Sequence, residues 1–352
     1  MLVAAIVIAS VLIGIGAWAV FRRYRVRASA AGTPGTGHTN KPERGVALAP
    51  APQGAGVELA NSLVTERLWK LAFAAPSEAQ YLELVDVEIR DSVSKVLEAE
   101  SPDPKYFPRR PTLMPQLLRA VDDPGAAPNK LSRIIAHDPV LASDVLRLAN
   151  SSLYRIAPEP IETIQRAIVV LGVDALRGLI ATAMLQPVFR ATRTNFPRFP
   201  RMLWERTERA ARAAEMYAFN IHPQDRFEAQ LVILLSALGP LVVYGATLDA
   251  YSRRPDMAPN PTLCVALTAA LGPQVALRIA LHWETSPRLI AAIEKSPQEK
   301  LTMALCAGEL LGTLSLLHTQ NVITSEEALA TAKDAGLDDT IVVPIWRRLT
   351  TG

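Results

Sequence analysis

From residue 57 onward, apolar residues recur at spacings of three and four between Pro and Gly punctuation, and no stretch alternates with the period of two that a half-buried strand requires. A pattern of this kind can bury one side of a helix and little else. The chain is 352 residues long and 49% hydrophobic, enough to build a sizeable core, and its Ala- and Leu-rich texture suits helix interiors. The expectation is an all-α, multi-helix bundle. Helices are predicted over 61–73, 77–98, from about 115, and over 128–137, 139–150, 161–171, 175–189, 202–220 and 226–245. Others are predicted over 261–269, 273–283, 287–294, 298–317, 325–335 and 339–349.

The N-terminus carries a different signal. Residues 2–20, LVAAIVIASVLIGIGAWAV, hold no charge, and as a helix they span roughly 30 Å, the hydrocarbon thickness of a bilayer. Trp18, Phe21 and Tyr24 mark an interface, and Arg22, Arg23, Arg25 and Arg27 follow at once. Positive charge stays on the cytoplasmic side, so residues 1–21 read as a transmembrane anchor in the inner membrane, with the lipid bilayer as partner and the body of the protein in the cytoplasm. A cleaved signal peptide, with Ala17-Trp18-Ala19 at its cleavage site, is the competing reading; it lacks a basic n-region.

Residues 22–60 read as a basic stop followed by a flexible Ala/Gly/Pro linker, in which His38 is solvated. Residues 61–105 read as a charge-rich helical extension that either packs on the bundle or forms a stalk. A net charge of +3 is too small to argue for nucleic acid, and none is expected as a partner. Cys264 and Cys306 lie far apart in apolar helical stretches without CxxC spacing, as free thiols in a reducing compartment do.

One short stretch poses the chemical question. IIAHDPVLASDVLRLANSSLY, residues 134–154, contains an adjacent His137-Asp138, and a His-Asp pair can be the core of a metal site. Asp138-Pro139 is also a helix opening: the Asp can cap free amides, and Pro fits the first turn. Leu141, Val145 and Leu148 then form an apolar stripe.

Three runs decide between these readings: PTLMPQLLRAVDDP (111–124), LSRIIAHDPVLASDVLRLANSSLY (131–154) and IETIQRAIVVLGVDALRGLIATAML (161–185). Asp138-Pro139, Leu146 to Asn150-Ser151, and Ile164, Ala167, Ile168, Leu171 and Gly172 resemble, in order and spacing, the HDOD family, the HD-related output domains of bacterial signalling proteins. The resemblance covers roughly residues 106–310, which leaves 311–352 as C-terminal helices. It implies an HDOD-type bundle, and it makes Asp138, Pro139, Asn150, Ser151 and Gly172 structural landmarks. The metal dyad of the broader superfamily is then expected at a helix end written Leu-Leu-His-Asp-x-Gly, where this chain has Ser236-Ala237. An upstream His is expected where Arg206 stands.

Arg206, Ser236 and Ala237 thus mark a degenerate pocket, and no catalytic, metal or cofactor-binding residue is expected. Converging His or carboxylate ligands are what a metal that activates water needs, and an arginine would repel the cation. The function implied is regulatory, through contacts with signalling proteins not identified by the sequence. The alternatives are a metal-dependent phosphohydrolase acting on a nucleotide or cyclic dinucleotide, and a nucleotide sensor that binds through Arg206 without cleavage.

Other constellations are weaker. Arg193, Arg198, Arg201, Arg206, Arg209 and Arg212, with Phe196, Phe199 and Trp204 between them, could form an anion patch. Alternating acids favour a solvated helix face with Glu205–Arg209 and Glu208–Arg212 pairs. His222, His282 and His318 read as loop or helix-terminal residues. Ser151 and Ser152 read as turn residues, and no phosphate-cradling glycine loop or nucleophile elbow is present.

Overall fold

The computed structural model describes residues 55–76, 82–101, 103–112, 115, 135, 138–155, 158–189 and 195–351. The predicted anchor 1–21, most of the linker, His137, Arg193 and the helices predicted from 115 and over 128–137 lie outside the described residues. Among the described residues there are twelve α-helices and no strand.

The first helix, α1 (Ala55–Phe73), begins six residues before its predicted start, which corrects the linker's extension to residue 60. Val57 and Asn61 are buried, so this end of the segment belongs to the packed unit. Gly56 reads as linker composition but has a packing reason: a Cβ there would lie 2.8 Å from the Ala335 carbonyl oxygen. The second helix, α2 (Leu84–Glu98), packs on the bundle rather than projecting as a stalk. Its first-turn Asp86 is buried and accepts hydrogen bonds from Tyr251 Oη at 2.6 Å and Asn260 Nδ2 at 2.9 Å.

A three-helix unit follows. α3 (Pro139–Ala149) is capped by Asp138, whose Oδ1 accepts from the Val140 and Leu141 amides at 3.0 Å. Asn150 ends it by donating to the Leu146 and Ile161 carbonyls and accepting from the Ile161 amide, which closes the loop to α4 (Ile164–Leu171). Thr163 caps α4, so that helix starts at 164 rather than 161. Gly172, at φ 82°, then turns the chain directly into α5 (Val173–Leu185), a conformation that favours glycine.

The centre is built from α6 (Arg198–Ile221), α7 (Arg226–Ser252), α8 (Pro261–His282) and α10 (Leu301–Thr319), with α9 (Pro287–Ile293) between the last two. The short α11 (Ser325–Asp334) and α12 (Asp339–Thr350) close the C-terminal end. The predicted domain boundary at 310 falls inside α10. α7, α8 and α10 are long and apolar enough to cross a membrane, but 61–78% of their most apolar windows is buried inside the bundle. A helix apolar on all sides needs such surroundings.

Glycine lets the central helices touch. A Cβ on Gly312 of α10 would lie 2.5 Å from Ala210 N of α6, and one on Gly239 of α7 would lie 2.0 Å from the Gly272 carbonyl oxygen of α8. The second crossing explains why the break predicted between 269 and 273 does not occur. Pro273 removes one hydrogen bond, to the Ala269 carbonyl, and Ala269 is exposed to water, while Gly272 is pinned against α7. Helix α7 likewise runs through Pro240 and past the predicted stop at 245.

Candidate functional site

Arg206 and Ser236 line one cavity of about 210 Å3, whose walls come from α1, α6, α7, α8 and α10, with Ile293 and Lys295 at the end of α9. Ala237, the next residue on α7, is buried and does not belong to the lining. Of the three residues expected to mark a pocket, Arg206 and Ser236 thus line this cavity and Ala237 does not. Asp138, Pro139, Asn150, Ser151 and Gly172 sit on the α3–α5 unit and do not reach it. Ser151 Oγ donates to the Leu148 carbonyl at 2.7 Å.

Arg206 is 5% exposed, and its guanidinium meets Thr313 and Glu309. Its Nε donates to Thr313 Oγ1 at 2.9 Å, and its Nη2 lies 3.6 Å from Glu309 Oε1. Asn61 of α1 donates to the other Glu309 oxygen at 2.7 Å, and the Trp69 ring lies 5.7 Å from the guanidinium carbon. Burial holds Arg206 below its ordinary pKa, and the Glu309 carboxylate opposes that. Lys295, also on the lining, has its Nζ 3.5 Å from Glu58 of α1. Burial lowers the Lys295 pKa, but Glu309, Cys306 and Glu58 raise it more, so it stays above its ordinary value.

The α7–α8 wall carries polar groups of a different kind. Pro240 and Pro273 have no N–H, so neither completes the helical bond to the carbonyl four residues back, on Ser236 and Ala269 respectively. All four residues line the cavity. The Ser236 and Thr268 hydroxyls also line it and make no hydrogen bond among the described residues, although Thr268 is 2% exposed. Elsewhere, Thr182, Thr207, Thr247 and Thr313 each donate to the carbonyl four residues back. Among the described residues no acid or imidazole is hydrogen-bonded to Ser236.

The arginine cluster corrects an expectation. Arg201 faces solvent near Glu205, but Arg206 and Arg212 are buried and are not part of a solvated face. Arg212 pairs with Glu215 at 2.5 Å rather than with Glu208, and Arg209 donates to the Leu349 carbonyl at 2.9 Å. Arg226 and Gln230 also bind the Glu215 carboxylate. The signal was present: Ala210, Ala211, Ala213 and Ala214 interleave with these arginines, and small residues on every side of a helix mean neighbours on every side.

Glu58, Lys295, Thr268 and the two prolines were not singled out by sequence reasoning. A proline inside an unbroken apolar period was the available clue. His282 is exposed and His222 caps the end of α6. His318 Nδ1 lies 3.1 Å from the Ile323 carbonyl oxygen, with its ring 5.6 Å from Trp346. Cys264 and Cys306 are free and buried, and burial pushes both thiols up to about 12. Among the described residues, no three His, Cys, Asp or Glu side chains converge into a group that could hold a metal ion.

The HDOD domain family model matches residues 107–299 of this sequence. The chain belongs to the HDOD family. No curated protein matches it significantly in sequence. Among solved structures, it is similar to an HDOD domain protein of unknown function from Geobacter sulfurreducens. That match has 19% identity and a TM-score of 0.50, covering 76% of this chain and 90% of that one. A Shewanella amazonensis protein provisionally described as a phosphohydrolase matches at 19% identity and a TM-score of 0.44, over 86% of this chain and 95% of that one. The likeness to the HDOD protein is one of fold.

Proposed function

We propose that this chain is a non-catalytic HDOD protein that regulates signalling by binding other proteins, tethered at the cytoplasmic face of the inner membrane by residues 1–21. The observation that carries this reading is the buried Arg206–Glu309 pair. A guanidinium occupies the place where the superfamily's upstream metal-ligating His is expected, and it takes up the nearest carboxylate. Ser236 and Ala237 stand where the His-Asp dyad would be and offer no metal ligand of comparable strength. A landmark role for Asp138 accords with this, because both of its contacts to the first turn of α3 use the carboxylate that a metal would need.

Elemental mass spectrometry on the full chain, purified without chelator or added metal, tests the reading. The expected result is no stoichiometric iron, manganese or zinc. Near-stoichiometric metal, lost on mutation of His137, overturns it in favour of a phosphohydrolase. Crosslinking in cells with the anchored chain should recover a defined signalling partner, and truncation after residue 21 should release the protein from the membrane fraction.

A further inference from the structure

We propose that the cavity beneath α1 is a binding site for a small amino-acid-like zwitterion, one primary ammonium and one carboxylate on a short apolar body. This goes beyond the non-catalytic reading and depends on neither the partner nor the anchor.

Size sets the first limit. A cavity of about 210 Å3 exceeds the roughly 150 Å3 that houses a benzene ring, and it falls short of the roughly 300–1,000 Å3 clefts that hold drug-sized ligands. A mononucleotide is too large while α1 stays in place.

The polarity of the walls sets the second limit. The α7–α8 wall presents oxygen atoms open to a ligand: the Ser236 and Thr268 hydroxyls make no hydrogen bond among the described residues, and Pro240 and Pro273 have no N–H to offer the Ser236 and Ala269 carbonyls. An ammonium group has three N–H donors and can serve several such oxygens at once. Lys295 supplies the cation. Glu309 is held by Arg206 and Asn61, whereas the ion pair that Lys295 makes among the described residues is with Glu58, whose side chain is 44% exposed on α1. A ligand carboxylate can replace that exposed partner. Ala276, Ile293 and Leu305 supply apolar lining.

The covering helix fits this role. Its C-terminal half is fastened by aromatic contacts, with Phe73 stacked on Phe199 at 4.3 Å and Trp69 at 5.2 Å from the same ring. Its N-terminal half lies over the cavity and is held there by Asn61 and Glu58. Glu58 thus acts as a built-in competitor for the ligand carboxylate.

The experiment is calorimetric titration of the full chain in mild detergent with a panel of the standard L-amino acids, followed by the deaminated and decarboxylated analogues of whichever binds. A small apolar amino acid is expected to bind saturably, with each analogue at least about tenfold weaker, the loss of one charged contact. Lys295→Met and Thr268→Val should each weaken binding about tenfold, while Glu58→Gln should tighten it several-fold by removing the competitor. Ser236→Ala is a second probe of the acceptor wall should Thr268→Val fail to fold. Absence of saturable binding to both the wild type and Glu58→Gln overturns the proposal. So does equal binding of the deaminated analogue, or binding unchanged in Lys295→Met.

Discussion

Helix α6 carries two buried ion clusters less than two turns apart, at Arg206 and Arg212, and they are built to opposite designs. At Arg212, the carboxylate is enclosed: Glu215 is 1% exposed and is held by Arg212, Arg226 and Gln230, although Arg212 Nε, Arg226 Nε and Gln230 Oε1 are themselves buried without a partner among the described residues. At Arg206, the cluster is open on one side: the pair to Glu309 is longer, at 3.6 Å, and the neighbouring space is a cavity rather than a side chain. A charge saturated by protein groups holds helices together. A charge pair beside unfilled space can exchange partners, which is what a binding site needs. Removing one member of a buried pair strands the other in low dielectric, and the cost depends on whether water can reach it.

The largest test of this contrast is Glu215→Ala, which leaves Arg212 and Arg226 without their shared carboxylate. It should destabilise the chain by about 3–5 kcal/mol, read from denaturant midpoints. A loss below about 1 kcal/mol would mean that the closed cluster contributes no more than a surface pair. Glu309→Ala comes next. Arg206 keeps Thr313 and can take water from the cavity, so about 1.5–3 kcal/mol is expected. A loss equal to that of Glu215→Ala would erase the distinction.

Glu208, between the two clusters, gives a smaller effect that depends on pH. Burial raises its carboxyl from 4.5 to about 7, with Arg147 opposing. The unfolded chain therefore releases this proton at lower pH than the folded chain. Its contribution to stability is greatest below about pH 4.5, declines as pH rises to about 7, and is flat above. Glu208→Gln should remove that decline and leave the mutant more stable than the wild type at about pH 8, by on the order of 1 kcal/mol. An identical pH profile in the mutant would refute the burial argument. Glu58→Gln should have the smallest effect, under about 1 kcal/mol, because its pair with Lys295 is partly exposed. A larger loss would make Glu58 a structural clamp rather than a displaceable partner.

Much of the fold was legible because its signals are local. Asp138, Thr324 and Asp338 each cap a helix by accepting from amides two or three residues ahead, and the predicted starts at 139, 325 and 339 fall directly after them. Where prediction slipped, the deciding contact was distant. Gly56 and Val57 read as linker until Ala335 is brought beside them, and Pro273 reads as a break until Gly239 of α7 lies against Gly272. The same holds for the site. Arg206 and Ser236 could be nominated from a motif register, whereas Glu58, Thr268 and Lys295 belong to no motif.

What the sequence alone determined is therefore the all-α class and many helix ends, since periodicity and capping act over one or two turns. Only the tertiary structure decided which arginines are buried, and that α1 roofs a cavity lined by Arg206, Glu309, Lys295 and Glu58. The Asn61–Glu309 hydrogen bond that helps to hold that roof joins residues 248 positions apart. No local pattern encodes such a contact, because it forms only when α6, α7, α8 and α10 have already packed into the surface that α1 covers.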